Sequence, residues 1–197
     1  MKNKKTLLLI ILTAGFWWNL FNLKSIVLEW KMAPSYFKKN ISSIFSSDNL
    51  MKIQEVRWNA FGNEKEDLLS KIYYNKVYVM LDNFFSFLSY TSPRPYFQAG
   101  DGTRFSPSGV EPIAGILFPF WVLGLISLIK NRNFKLIFWT LGISLFTFLL
   151  GKRNLAFLLP VLLIYINIAS KSVNRKYLIL AVLYMLFIIG RVIWLKN

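Results

Sequence analysis

Few residues in this chain can do chemistry, and two short clusters hold the most suggestive of them. Gly100-Asp101-Gly102-Thr103-Arg104 places a carboxylate and a guanidinium in one glycine-rich turn, and Gly151-Lys152-Arg153-Asn154 places two cations just before an apolar run. A carboxylate can accept a proton or orient a donor, and neighbouring cations near an interface can pair with a phosphate. Glu64, Glu66 and Asp67 also lie together, but Asn63 before them reads as a helix N-cap, with Glu66 at the capping-box position and Asp67 in the first turn. They are helix-start charges rather than the carboxylate pair of a glycoside hydrolase. Arg191 is the one charge well inside an apolar run, near enough to its end to snorkel. Cys and His are absent, which excludes disulfides, thiol nucleophiles, imidazole bases and the usual zinc or haem sites. No P-loop, G-x-S-x-G or D-x-D is present, and no metal or cofactor is expected.

The elements that must position these clusters come from a very apolar chain. It has 197 residues, 24 Lys plus Arg against 9 Asp plus Glu, a net charge of +15 and 55% hydrophobic residues. The mean hydropathy is +0.43. Such a charge raises the question of nucleic acid, but the cations punctuate long segments that are apolar all round, which a water-facing surface would not tolerate. The expected partner is therefore a lipid bilayer, with no nucleic acid. All acidic residues fall between Glu29 and Glu111, and none follows Pro112.

Five segments are candidate spans: Thr6 to Val27, Ile113 to Ile129, Leu136 to Leu150, Leu155 to Ala169 and Leu178 to Leu195. A typical hydrocarbon core takes roughly 20 apolar residues, so the third and fourth are short. They either cross with help from flanking residues or local thinning, or form one re-entrant hairpin. The first segment reads as a retained signal anchor, because Phe16, Trp17 and Trp18 stand where a cleavage site would need small residues. Lys2, Lys4, Lys5, Lys130, Arg132, Lys135, Lys171, Arg175 and Lys176 lie in one set of short loops and ends; only Lys152, Arg153 and Lys196 lie in the other. The positive-inside rule then predicts a cytoplasmic amino terminus and an extracytoplasmic carboxyl terminus.

Three regions follow: an anchor over 1–27, an extracytoplasmic segment over 28–112 and a four-helix membrane region over 113–197. Within the outer segment, 35–45 shows a short helical stripe and 46–62 is polar and poorly periodic. Apolar residues at 69, 72, 73, 77, 80, 81, 84, 85 and 88 predict an amphipathic helix over about 64–90. Its many Tyr and Phe residues suit an interface, whether on the outer membrane surface or against the bundle. Pro93 and Pro95 end it, and a turn-rich stretch leads to the second span. Asn40-Ile41-Ser42 is a glycosylation sequon that matters only in a secretory pathway. Gly142, Gly151 and Ser144 are small residues suited to close helix packing. The fold class is thus an all-α integral membrane protein with about five transmembrane helices and one large outer segment.

The order of an aromatic-rich helix, Gly100-Asp101-Gly102-Thr103-Arg104, Gly109 and then the span GILFPFWVLGLISLI resembles the carboxyl half of membrane glycosyltransferases of the GT-C fold. The resemblance is to the branch holding protein O-mannosyltransferases and the lipid A aminoarabinose transferase. Lys152 to Pro160 resembles that family's Arg-aromatic-Leu-x-x-Pro element, and Asn75-Lys76 an Asn-Lys pair before its outer helix. The likeness covers roughly residues 40 to 170. It implies a polyprenyl-phosphate-linked sugar as donor, transferred on the outer face, with Lys152 or Arg153 near the donor phosphate and Asp101 and Arg104 in the same outer site. The alternative for the two cations is that they anchor a short loop at headgroup level. For Asp101 the alternative is a local turn bond. The family's acidic residue soon after the first span has no match; Glu29, in LEWKMAP, departs from it. The resemblance therefore implies a portion that does not catalyse alone, with a possible partner chain carrying the amino-terminal half. A non-enzymatic membrane scaffold or accessory subunit is the alternative.

Overall fold

Apolar runs of helical period become helices throughout. A computed structural model gives the architecture and describes residues 2–44, 46–62, 68, 72, 77–98, 100 and 102–196. The helices are α1 (Lys2–Ile11), α2 (Ala14–Phe21), α3 (Leu23–Ile44), α4 (Ser47–Phe61), α5 (Tyr78–Thr91), α6 (Arg94–Phe97), α7 (Phe118–Lys130), α8 (Lys135–Leu149), α9 (Leu155–Ser172) and α10 (Arg175–Lys196). Among the described residues the protein is all-α, with one isolated bridge between Thr103 and Ser106.

Helix α9 is the centre. Residues on every side of it are buried, from Leu155 through Ser170. Gly124 of α7 meets it so closely that a Cβ there would stand 2.2 Å from the Ile168 carbonyl oxygen. Trp121 packs on Tyr165 at 5.0 Å, so α7 and α9 run parallel, with Trp121 and Gly124 matching Tyr165 and Ile168 in order. The amino-terminal helices run the other way along α9. Thr6 Oγ1 lies 2.7 Å from Ser170 Oγ, Gly15 faces Leu162, and Trp30 packs on Phe157. The Lys4–Lys5, Lys130–Lys135 and Lys171 clusters consequently share one end of the bundle, and Lys152 and Arg153 occupy the other. Ala181, Met185 and Ile188 form the narrow buried stripe of α10, which brings Tyr184 to Glu111 and Arg191 to Gly109.

Pro160 lies inside α9. It has no N–H to give the Ala156 carbonyl, its usual partner one turn back. Trp30 Nε1 donates to that oxygen instead, at 3.3 Å. An interior proline is tolerated here because a tryptophan from another element replaces the missing donor.

Several expectations hold and several change. The second to fifth apolar segments become α7 to α10 with ends shifted by a few residues. The first segment is not one helix. It breaks at Thr13, whose backbone is extended and whose hydroxyl donates to Leu9 O. Gly15 N–H then donates to Pro112 O at 2.9 Å, a contact that a side chain would obstruct. Residues 35–44 of the expected stripe are the end of α3, which continues through Pro34, and the polar stretch 46–62 is largely helical as α4. Of the helix expected over 64–90, the described part is Tyr78–Thr91. Asn63, Glu64, Glu66, Asp67, Asn75 and Lys76 lie outside the described residues. A Cβ added at Gly142 would meet no other element within 4 Å, so this glycine does not mediate close packing, whereas Gly124 does.

Length and composition assign fewer crossings than five. Among the described residues, α9 alone is apolar and long enough to cross a membrane, at about 27 Å. The segment from Gly115 through α7 passes the same criterion only together with α8, at a bend of 114°.

Candidate anion-binding cleft

The cleft is built from three distant parts of the chain. Pro93 and Pro95 bracket Arg94 and confine the short helix α6. Phe97 and Tyr96 root α6 in an aromatic cluster: Tyr96 lies 4.8 Å from Tyr165, and Phe97 5.8 Å from Trp121. Ile113 N–H donates to Tyr96 O at 2.7 Å, which ties the helix to the outgoing loop. The loop itself is packed rather than an open connection. Phe105, Ser106, Val110 and Ile113 are buried. Helix α2 clasps it through Trp18 Nε1 to Arg104 O at 2.9 Å and Asn19 Nδ2 to Phe105 O at 3.4 Å. Gly100 sits so tightly against it that a Cβ would meet Pro107 O at 2.2 Å.

Against these parts stands the first turn of α9. Asn154 caps that helix, its side-chain oxygen accepting from Phe157 N–H at 3.3 Å. Arg153 precedes the cap. Together Arg94, Tyr96, Gln98, Ser106, Arg153 and Leu158 line most of a cleft of about 420 Å³. Arg94 Nε donates to Gln98 Oε1 at 2.9 Å, which fixes one guanidinium. Tyr96 Oη and Ser106 Oγ are buried and have no hydrogen-bond partner among the described residues. Burial pushes the Tyr96 phenol well above its ordinary pKa, Tyr165 adds to the rise, and the Arg153 charge opposes it. The hydroxyl therefore stays a donor at neutral pH. Two arginines line this cleft at the amino-terminal end of α9, with two unused hydroxyls buried in its wall, which suits an oxyanion.

The structure separates the expected site residues. Arg153 is in the cleft. Lys152 turns away, its Nζ 4.8 Å from the centre of the Tyr36 ring, and lines a hollow of about 230 Å³ with Lys39 and Asn40. Arg104 supplies a backbone carbonyl to Trp18 and its side chain does not line the cleft. Asp101 lies outside the described residues. Arg94, Tyr96, Gln98 and Ser106 were not anticipated. The Pro-Arg-Pro run was a usable signal, because prolines on both sides hold an arginine in one backbone conformation. The buried hydroxyls had no sequence signal. No group of metal-ligating side chains occurs among the described residues.

No protein-family model matches the chain, and comparison with curated proteins and with solved structures finds no match.

Proposed function

We propose that the chain is an integral membrane protein whose Arg94–Arg153 cleft holds the phosphate of a polyprenyl-phosphate-linked sugar on the outer face. In this reading it is part of, or derived from, a GT-C-like glycosyltransferase and does not transfer sugar alone. The observation that carries the phosphate reading is that Arg94 and Arg153, from distant parts of the chain, line one cleft at the amino-terminal end of α9. The membrane reading is supported by apolar surface on the outside of an already apolar core. Phe138, Ile179, Leu183, Phe187 and Trp194 each expose more than half of their surface, although α9 inside is apolar and buried. Helices apolar on both their inner and outer faces belong in lipid. In this reading the basic clusters that share one end of the bundle face the cytoplasm, which puts the amino terminus inside and the carboxyl terminus outside.

The non-enzymatic reading has one observation in its favour: no carboxylate is among the described residues that line the cleft. A base for acceptor activation would have to come from elsewhere, such as a partner chain.

Binding of farnesyl phosphate by the detergent-solubilised chain tests the site. Arg94→Gln and Arg153→Gln are each expected to weaken it about tenfold or more, the scale of one lost charge-assisted hydrogen bond. Unchanged binding in both variants would remove the cleft as the phosphate site. Farnesol, which lacks the phosphate, is expected to bind both variants and the parent equally.

A further inference from the structure

Helix α3 carries a second surface that the cleft does not use. Its inner side packs across the α8–α9 turn. Trp30 stacks on Phe146 and meets Phe157 edge-on, Ala33 and Tyr36 join Leu150 and Phe157, and Asn40 Nδ2 donates to Phe148 O and Leu149 O at 3.1 Å. Its outer side carries Lys24, Lys31 and Lys38, all exposed. A seven-residue spacing drifts only about 20° around a helix per step, so the three lysines share one side of α3, on either side of Pro34. Val27, Leu28, Met32 and Ile41 share that outward arc and are 48%, 61%, 50% and 43% exposed.

Water alone does not explain this face, because it holds four large apolar side chains. An apolar protein partner does not explain it either, because it would bury a row of lysines. Lysine stems lying along apolar neighbours, with their charges reaching outward, are the pattern of a helix seated at a lipid headgroup layer. The helix's one carboxylate, Glu29, is partly buried, with its Oε2 shielded from solvent and its charge next to Tyr36. No carboxylate of α3 therefore offsets the row. We infer that this face of α3 binds anionic phospholipid headgroups through Lys24, Lys31 and Lys38, and so fixes the level of the α8–α9 turn at the membrane surface. The inference rests on the membrane reading, not on what occupies the arginine cleft.

The experiment uses the full chain in uncharged detergent micelles, titrated with dansyl-labelled phosphatidylglycerol or phosphatidylcholine, with energy transfer from tryptophan as the signal. Replacing the three lysines by glutamine is expected to weaken the phosphatidylglycerol titration roughly a hundredfold, at about fivefold per lysine, and to leave phosphatidylcholine unchanged. The corresponding triple arginine variant keeps the charge and is expected to bind as the parent does, which separates lost charge from lost fold. An unchanged phosphatidylglycerol titration in the glutamine variant would overturn the inference and leave an acidic protein surface as the occupant. Loss in Arg94→Gln/Arg153→Gln instead would overturn it by placing the lipid in the cleft. The membrane reading fails by a different result, labelling of both ends of the bundle from one side.

Discussion

Trp30 and Pro160 show how one side chain can license another 130 positions away. Trp30→Phe removes the donor to Ala156 O and is expected to cost about 1–3 kcal/mol in unfolding free energy. In a Pro160→Ala background the helix supplies its own donor, so the same change should cost clearly less. A double-mutant cycle on denaturation midpoints reads the difference, and additive costs would deny the compensation. Tyr96 gives a second test. Between its ordinary pKa of 10.0 and its raised folded value, the unfolded chain has lost the phenol proton and the folded chain keeps it. Stability is therefore unaffected by this group below about pH 10 and falls as pH rises above it. Tyr96→Phe is expected to flatten that alkaline fall, measured by chemical denaturation; an identical slope would assign it to other groups, Tyr90 among them, whose phenol burial also raises. At this scale the two site arginines differed in legibility. Arg153 was visible as a cation beside an apolar run. Arg94 needed a partner from the other end of the chain to acquire meaning.

Helix existence followed from period, because a continuous apolar run or a stripe at helical spacing must fold that way to bury its side chains. Helix ends and interruptions did not. The break at Thr13 depends on Pro112, which is remote in sequence and close in space. α4 formed in a stretch that is polar and poorly periodic and so carried no helix signal, since a polar segment can be helical without an apolar stripe. Close packing of α7 on α9 is the element-level feature most open to test. Gly124→Ala would drive a methyl into the Ile168 backbone and is expected to destabilise by about 1–3 kcal/mol or more. Gly142→Ala meets open space and is expected to stabilise by about 0.5–1 kcal/mol through helix propensity. Thermal unfolding of both variants decides between these signs, and equal effects would contradict the packing described.

At the scale of the whole molecule, basic clusters from the amino-terminal end and two loops gather at the end opposite Lys152 and Arg153, and the antiparallel course of α1 and α2 along α9 is what joins the first of them to the last. The chain has no native cysteine, so a single introduced one reports one place. Asn133→Cys, in the α7–α8 turn, and Ser108→Cys, beside the cleft, are both at exposed positions. They are expected to react with an impermeant maleimide from opposite sides of a sealed membrane. Reaction of both from the same side would remove the crossing between them, and reaction from opposite sides with the two positions exchanged would reverse the proposed orientation.

Composition and charge placement by themselves determined the all-α class, the apolar segments that become α7 to α10, and the absence of cysteine and imidazole chemistry. Those are properties of residue type and period, which are local. Only the tertiary structure decided which cations act together. It brought Arg94 to Arg153, sent Lys152 to Tyr36, and buried two hydroxyls beside the arginines. The reason is physical: neighbours in sequence leave a turn in different directions, and a binding site is defined by which side chains from distant segments converge when the helices bury their apolar faces.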